Sequence, residues 1–456
     1  MSVCRLMADS ATPRTADQPS RCVAVAYSGG LDSTALLHAT ALQAARLNQQ
    51  GAGLQVLALH VHHGLSTHAD AWVLHCQQQC ADWAAAGLPL RLQYRSVIER
   101  PAAGQSIEAW ARDVRYAALR EMAQAAGADL LLLAQHQRDQ AETLLLQALR
   151  GAGVAGLAGM PVRQWREGLC WVRPWLNQPR AAVEAYVRQH RLSHIEDDSN
   201  ADPRYARNRL RLSIWPALLE AFPQAQVSLA HAATWAQQAL ALQQEMARID
   251  LQSLADAQGF DLAAMQAMSP ARASNALRAW LKEQTGGPAP ASLVQRLQDE
   301  WQSAGTGSWP CRQGVLRLYR GRLNWMQDQP LPAHKPAPRS LDLSIPGHYR
   351  QVDWQGSWQV EQVETGGVSA LQLQIVSQRS RQGGEQFQRR PGGTARSLKK
   401  ACQEAGIPSW ERAGPLLFAG TRLLFVPGLG LDARCLAAEG EAQLAIRWCS
   451  DAETAS

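Results

Sequence analysis

Six residues, Ser28-Gly29-Gly30-Leu31-Asp32-Ser33, constrain this chain more than any other stretch. They follow the apolar run Cys22-Val23-Ala24-Val25-Ala26, which reads as a buried parallel strand, and precede the helical pattern Thr34-Ala35-Leu36-Leu37-His38-Ala39. A strand, a short Ser/Gly turn and a helix N-terminus together build an anion site. Free backbone N–H groups converge there, and the helix dipole favours negative charge. Gly29 and Gly30 let the backbone approach a phosphate with no Cβ in the way. Ser28 and Ser33 add hydroxyl donors. A carboxylate in such a cradle would repel a bare phosphate, so Asp32 is expected to face a magnesium ion or to orient the loop.

The common ATPase loop carries Gly-Lys-Ser/Thr, but the lysines here are Lys282, Lys335, Lys399 and Lys400, all far from any such sequence. The hexapeptide instead resembles the pyrophosphate (PP) loop of the ATP pyrophosphatase superfamily. Members bind ATP, release pyrophosphate and pass AMP to a carbonyl-type oxygen. The resemblance implies ATP as substrate, held by residues 28–33.

With 456 residues the chain has room for two or three domains, and 46% hydrophobic against 18% charged residues is the balance of a soluble globular protein. The net charge of +6 is carried almost wholly by arginine, which suits phosphate and RNA contacts and equally suits a solvated surface. The nine cysteines are scattered, odd in number and without a Cys-x-x-Cys. Reduced thiols in the cytoplasm fit better than a disulfide framework, and neither zinc nor an iron–sulfur cluster is expected. Residues 1–20 are polar, with two prolines and no apolar segment, and read as a disordered lead-in with no signal peptide or membrane span.

Strand-like and helical segments alternate from residue 21 onward. Strands are expected at 22–26, 54–61, 90–94 and 129–134, and helices at 70–86, 106–126, 139–150 and 180–191. That alternation predicts an α/β fold, a doubly wound parallel sheet over 21–216 with ligands at the carboxyl ends of its strands. A mainly helical, then β-rich middle domain is expected over 217–365, with a Pro-rich connector near 329–347. A small α+β domain is expected over 366–449. Its start is basic: Arg379, Arg381, Arg389, Arg390, Arg396, Lys399 and Lys400 face only Glu385.

A second chemical cluster begins where the fourth strand ends, at Gln135-His136-Gln137-Arg138-Asp139-Gln140-Ala141-Glu142-Thr143. Asp139 and Glu142 share a helix face, with His136 just before them. Such a group suits binding magnesium, holding an amine or accepting its proton; helix capping by Asp139 with a solvated Glu142 is the structural alternative. Glu108, Arg112 and Arg115 form a helical stripe after a Ser106 cap, either a solvated salt-bridged face or arginines for triphosphate or RNA. Gly151 to Gly156 match a dinucleotide fingerprint but follow a helix, so they read as a flexible loop. His60, His62, His63 and His68 with Cys76 and Cys80 lack the spacing of a structural zinc site. In the acidic-then-basic run 195–211, Arg204, Arg207 and Arg211 are expected on one helical face, suited to phosphate or to a dipole-matched domain edge.

Taken in order, these segments resemble the tRNA(Ile)-lysidine synthetase family. The matching blocks are Ser28–Ser33, His60-Val61-His62-His63-Gly64-Leu65, Ala111-Arg112-Asp113-Val114-Arg115-Tyr116 and Arg150 through Met160. Arg173-Pro174-Trp175-Leu176, Asp198-Ser199-Asn200 through Asn208, Leu398-Lys399-Lys400 and Ile407 through Arg412 continue the series. The family pattern His-His-x-Asp-Asp-Gln stands here as Gln135-His136-Gln137-Arg138-Asp139-Gln140, with one histidine and one acid replaced, and His62 stands where asparagine is usual.

The resemblance implies a ligase that joins L-lysine to C2 of the wobble cytidine in an isoleucine tRNA with a CAU anticodon. It proceeds through an adenylated cytidine, with release of pyrophosphate and then AMP. It further implies Asp32, Arg115, His136, Asp139 and Arg207 as catalytic candidates, Asp32 as a candidate magnesium ligand, and the C-terminal domain as a tRNA binder. An asparagine-synthetase-like amidotransferase would need a glutaminase domain before the loop, where only 27 residues stand. A non-catalytic RNA-binding protein on an ATP fold is the alternative of a different class.

Overall fold

The computed structural model describes residues 21–62, 64, 68–97, 107–196, 202–301, 306–327, 336–412, 414–438 and 440–451, with the backbone alone at Ile107 and Glu108. The lead-in 1–20, His63, Leu65, the Ser106 cap, the Glu108 side chain, Asp198-Ser199-Asn200 and the connector prolines Pro330 and Pro332 lie outside the described residues. The chain divides into two compact units, Met1–Ile249 and Asp250–Ser456.

The first unit is an α/β layer structure. Its elements run β1 (Arg21–Ala26), α1 (Leu31–Asn48), β2 (Leu54–His62), α2 (Ala69–Ala85), β3 (Leu90–Ser96), α3 (Ile107–Ala125), β4 (Ala128–Leu132), α4 (Gln137–Ala148) and α5 (Val154–Leu157). They continue as β5 (Arg163–Arg166), β6 (Leu169–Val172), α6 (Arg180–His190), α7 (Ala206–Arg209), a π-helical turn (Leu210–Ile214), α8 (Trp215–Ala221) and α9 (Ala225–Leu254). Strands pair in the order β3-β2-β1-β4-β6-β5, all parallel except β5, which runs antiparallel to β6. The apolar runs Val23–Val25 and Val56–Leu59 are buried on both faces, as a sheet covered by helices on both sides requires. One core packs α1 and α2 against Val23, Val25 and Val56, and the other packs Leu119, Met122 and Ala123 of α3 against Ala24, Leu57 and Leu131.

The strand order reverses between β1 and β4, and in open α/β sheets that switch point opens a crevice at the carboxyl ends. The two segments singled out for chemistry, 28–33 and 135–142, leave the sheet at those two strand ends.

The second unit opens with β7 (Ala255–Asp256), β8 (Gly259–Asp261), α10 (Leu262–Gln266), α11 (Pro270–Thr285), α12 (Ala291–Glu300) and the strands β9 (Thr306–Cys311), β10 (Gly314–Tyr319) and β11 (Arg322–Gln327). Helices and strands share a core around Phe260, Leu277, Trp280, Val294 and Leu316. Its remainder comprises β12 (Arg339–Leu341), β13 (Gly347–Gln351), β14 (Gly356–Val363), β15 (Val368–Ser369), α13 (Ala370–Leu373), β16 (Val376–Arg379), β17 (Gln386–Phe387) and β18 (Arg396–Ser397). It ends with α14 (Leu398–Glu404), β19 (Leu416–Ala419), β20 (Arg422–Val426), β21 (Gly430–Leu431) and β22 (Gln443–Ser450).

The expected boundary between 365 and 366 cuts through paired strands: β14 pairs with β22 along its whole length, and β12 pairs with β16. Leu343, Trp358 and Val360 share a core with Val376, Leu417 and Ile446, so residues 339–363 pack with the terminal sheets. The boundary expected at 216 falls inside α8, ahead of the 30-residue α9. Among the described residues no helix is long and apolar enough to cross a membrane.

Candidate active site

The loop after β1 is shaped by its own small residues. Gly29 has φ +85°, and a Cβ there would stand 2.4 Å from Ile195 Cδ1 and 3.0 Å from Cys76 Sγ. Glycine is therefore required for the backbone conformation and for the space. Ile195 N–H donates to Gly29 O at 2.9 Å and clamps the turn from the far side. The two hydroxyls bond within the loop: Ser33 donates to Gly30 O at 3.0 Å, and the Ser28 and Ser33 hydroxyls lie 3.0 Å apart. Thr34 N–H makes the first helical bond to Gly30 O at 3.0 Å. The N–H groups of Leu31, Asp32 and Ser33 precede it, at the positive end of α1.

Across the switch point, His136 is buried at the end of β4 and leads into α4. Its backbone N–H donates to Asp139 Oδ2 at 3.1 Å, so Asp139 caps the helix as the structural alternative had it. The His136 ring lies between two carboxylates: Nε2 is 3.7 Å from Asp32 Oδ2, and Nδ1 is 3.4 Å from Asp139 Oδ2. Burial pushes the Asp32 carboxyl up, but the hydrogen bond and charge of His136, with Arg180 and Arg211, outweigh it and hold Asp32 below the ordinary carboxylate range. Asp32 is thus ionised at neutral pH, with a third of its side chain exposed. Its Oδ1 is buried and has no hydrogen-bond partner among the described residues.

Glu142 is not solvated. Its side chain is fully buried and gathers three arginines. Oε1 accepts from Arg211 Nε at 2.8 Å and Arg138 Nε at 3.1 Å, while Arg207 Nε stands 3.6 Å from Oε2. Arg211 reaches on to Asp139 Oδ1 at 2.7 Å, and Arg207 Nη2 donates to Thr143 Oγ1 at 2.8 Å. Arg138, which replaces an acid of the resembled pattern, also lies 5.4 Å over the Trp215 ring. A lone buried carboxylate would be very unfavourable, so the surrounding guanidiniums are what allow Glu142 to sit there. They stand as a rim beside the Asp32–His136–Asp139 line, three guanidiniums suited to phosphate oxygens.

The structure therefore brings Asp32, His136 and Asp139 into one line and ties Arg207 to it through Glu142 and Arg211. Arg204 does not join Arg207 and Arg211 on a helical face. It precedes α7, in a turn where it bonds Asp202, and a π-helical turn follows α7. Arg115 sits exposed on α3, where its charge helps, after burial, to lower the pKa of His60. Among the described residues it takes no part in the ion pairs of the Asp32–His136–Asp139 line. Sequence reasoning missed Arg180 and the hub role of Glu142. Only an acid three residues after Asp139 on the same helix face pointed toward the latter.

His60 bonds the Tyr27 carbonyl at 3.0 Å, His62 pairs with Asp70 at 3.1 Å, and Cys76 and Cys80 are buried behind the loop. The Gly-rich stretch after α4 is pinned at its end by paired bonds between Gln140 and Met160 (3.0 and 2.9 Å). Among the described residues no group of three His, Cys, Asp or Glu side chains is arranged to hold a metal. The orphaned Asp32 Oδ1 nonetheless fits a magnesium ion, which takes one or two carboxylates and completes its shell with phosphate and water.

Three family models match the chain: a PP-loop domain over 5–218, a TilS substrate binding domain over 260–324 and a TilS substrate C-terminal domain over 376–448. Among its relatives are the tRNA(Ile)-lysidine synthase of Ralstonia nicotianae, 42% identical over 91% of this chain and 90% of that one, and that of Burkholderia pseudomallei, 39% identical over 90% and 89%. The Pseudomonas aeruginosa enzyme of the same name is 39% identical over 90% of each chain.

Proposed function

The chain belongs to the tRNA(Ile)-lysidine synthase family, and we propose that its first unit is a carbon–nitrogen ligase joining L-lysine to the wobble cytidine of a CAU-anticodon isoleucine tRNA. It forms lysidine on tRNA(Ile) using ATP. The observation that carries the site assignment is the Asp32–His136–Asp139 line across the β1/β4 switch point, bordered by the arginine rim.

In the first step cytosine O2 attacks the α-phosphorus of ATP and pyrophosphate leaves. The N–H groups at the start of α1 hold phosphate oxygens, and Arg207 and Arg211 offset the charge that develops. Arg207 is the guanidinium least engaged by Glu142, so it is the one freest to turn to the nucleotide. Magnesium, held by Asp32, supplies further charge neutralisation when bound.

In the second step the lysine side-chain amine attacks C2 and AMP departs. That amine is mostly protonated at neutral pH. Asp32, held ionised by Arg180 and Arg211 as well as by His136 and partly exposed, is suited to bind the ammonium, and His136 behind it, in its neutral form, is placed to take the proton. Asp139 has both oxygens engaged, one by the His136 N–H and one by Arg211. Its role is to fix the imidazole, not to meet the amine.

The tRNA is held in part by the terminal basic face. Of the seven basic residues expected there, Arg379 lies 3.6 Å over Phe418, Arg381 pairs with Glu385 and Arg396 with Glu404. Arg389, Arg390, Lys399 and Lys400 are exposed and have no ion pair among the described residues. Replacing those four by glutamine is expected to weaken tRNA binding more than about tenfold and to reduce the salt slope by about 0.7–0.9 per lost contact. Filter binding across a salt series checks this, and an unchanged slope would count against the assignment.

A further inference from the structure

We propose that the tip of the β10–β11 hairpin is a latch that fixes the direction in which the terminal basic face meets tRNA. The proposal rests on the tRNA-binding reading of that face. Tyr319 pairs with Arg322, so the hairpin turns through two residues, Arg320 and Gly321, with φ +50° and +76°. Two consecutive left-handed residues are what a two-residue hairpin turn requires, and Asn-Gly is the sequence that adopts it most readily. An arginine in the first position is a backbone mismatch that persists only where something else favours it.

What favours it lies outside the hairpin. The Arg320 guanidinium donates to the carbonyl of Gln403, in the last turn of α14. It also lies 3.0 Å from where a Cβ on Gly406 would stand, so the glycine there (φ +79°) leaves room for it. The neighbours of Arg320 complete the contact. Tyr319 meets Trp410 edge-on at 5.9 Å, and the Arg317 guanidinium lies 5.3 Å over the same indole. One hairpin tip thus grips residues 403–410, immediately after the helix that carries Lys399 and Lys400.

β11 ends at Gln327 and β12 begins at Arg339, so the chain joins the two gripped parts through eleven residues. Without the grip, the basic face would meet tRNA at an effective concentration set by that connection alone. Arg320, Arg317 and Trp410 are positioning residues: they touch neither nucleotide nor cytidine but orient the part that touches tRNA.

Arg320→Asn separates this role from stability, because asparagine suits the turn better than arginine. The full-length enzyme is compared with the R320N and R317Q/W410L variants by small-angle scattering, thermal unfolding and steady-state kinetics. The latch predicts that R320N unfolds at the same or a higher temperature and has a larger radius of gyration. It predicts a KM for tRNA raised about tenfold with kcat within twofold, and the double variant should show the same kinetics. An unchanged radius of gyration would overturn the latch, and a larger radius with unchanged KM would overturn its positioning role. The Lys399→Gln/Lys400→Gln variant is the parallel control. If it binds tRNA normally, the reading of the basic face fails, while the scattering comparison still decides whether the hairpin grips residues 403–410.

Discussion

Asp32→Asn is expected to lower lysidine formation by about 10³-fold while leaving tRNA affinity within about twofold of wild type. Asparagine keeps the shape of the side chain and removes the charge. The loss falls on three functions at once: attraction of an ammonium or magnesium ion, the electrostatic partner of His136 Nε2, and balance for Arg180 and Arg211. tRNA binding should survive because the basic residues assigned to it, Arg389, Arg390, Lys399 and Lys400, lie in the second unit. Single-turnover transfer of labelled lysine together with filter binding decides it, and a parallel loss of tRNA affinity would sink the catalytic role.

The same variant carries a pH signature. The folded-state pKa of Asp32 is depressed, so its ionised form stabilises the fold above the ordinary carboxylate pKa. That contribution is lost as pH falls through the folded-state value. The melting temperature of D32N should therefore lie below wild type at pH 7, and the gap should close as the pH is lowered past about 4. A gap independent of pH would place the effect outside Asp32 ionisation.

Glu142→Ala is expected to destabilise the first unit by about 2–4 kcal/mol and to abolish activity. Removing one member of a buried ion cluster leaves its partners uncompensated, typically about 3–5 kcal/mol when all are buried. The arginines here are a fifth to a third exposed, so water relieves part of that penalty. Glu142→Gln keeps the shape of the side chain and one acceptor oxygen for Arg211 and Arg138, but loses the charge and turns an NH2 donor toward Arg207. It should fold better than the alanine variant yet raise the KM for ATP, because Arg207 and Arg211 lose the anion that aligns them. Calorimetry and ATP-dependence of lysine transfer measure the two effects. A glutamine variant with wild-type KM for ATP would show that Glu142 serves packing alone.

Much of the first unit was legible in the chain because its signals are local. The β1 strand, the Ser/Gly turn and the start of α1 lie within a dozen residues, and the expected helices 70–86, 106–126 and 180–191 match α2, α3 and α6 to within a residue at each end. β5 and β6 were missed because each has four residues, too few for a period to declare itself. The charge hub was illegible for a different reason. Arg211 and Glu142 are 69 residues apart, and no spacing rule predicts that a helix-face acid will be buried under arginines from another helix. Arg204 was misplaced because helical spacing was extended back two residues ahead of α7, where Asp202 holds Arg204 in a turn. Residues 339–363 belong with the terminal sheets because β12 and β14 find partners 35 to 94 residues downstream, a matter of sheet pairing and not of composition.

Arg138 shows what the two levels give together. From the sequence it is a departure that removes an acid from the resembled pattern. In the structure it becomes a third cation on Glu142 and stacks on Trp215. The acids that remain at the rim, Asp32 and Asp139, are the two that flank His136, so the line assigned to catalysis survives the replacement.

The most direct test of the account is transfer of labelled lysine to an isoleucine tRNA transcript bearing CAU, with and without ATP, in the wild-type protein. The account predicts incorporation that requires ATP, yields AMP and pyrophosphate, and disappears when the wobble cytidine is replaced by uridine. Incorporation independent of the wobble base, or ATP cleavage to AMP with no lysine on the tRNA, would contradict it.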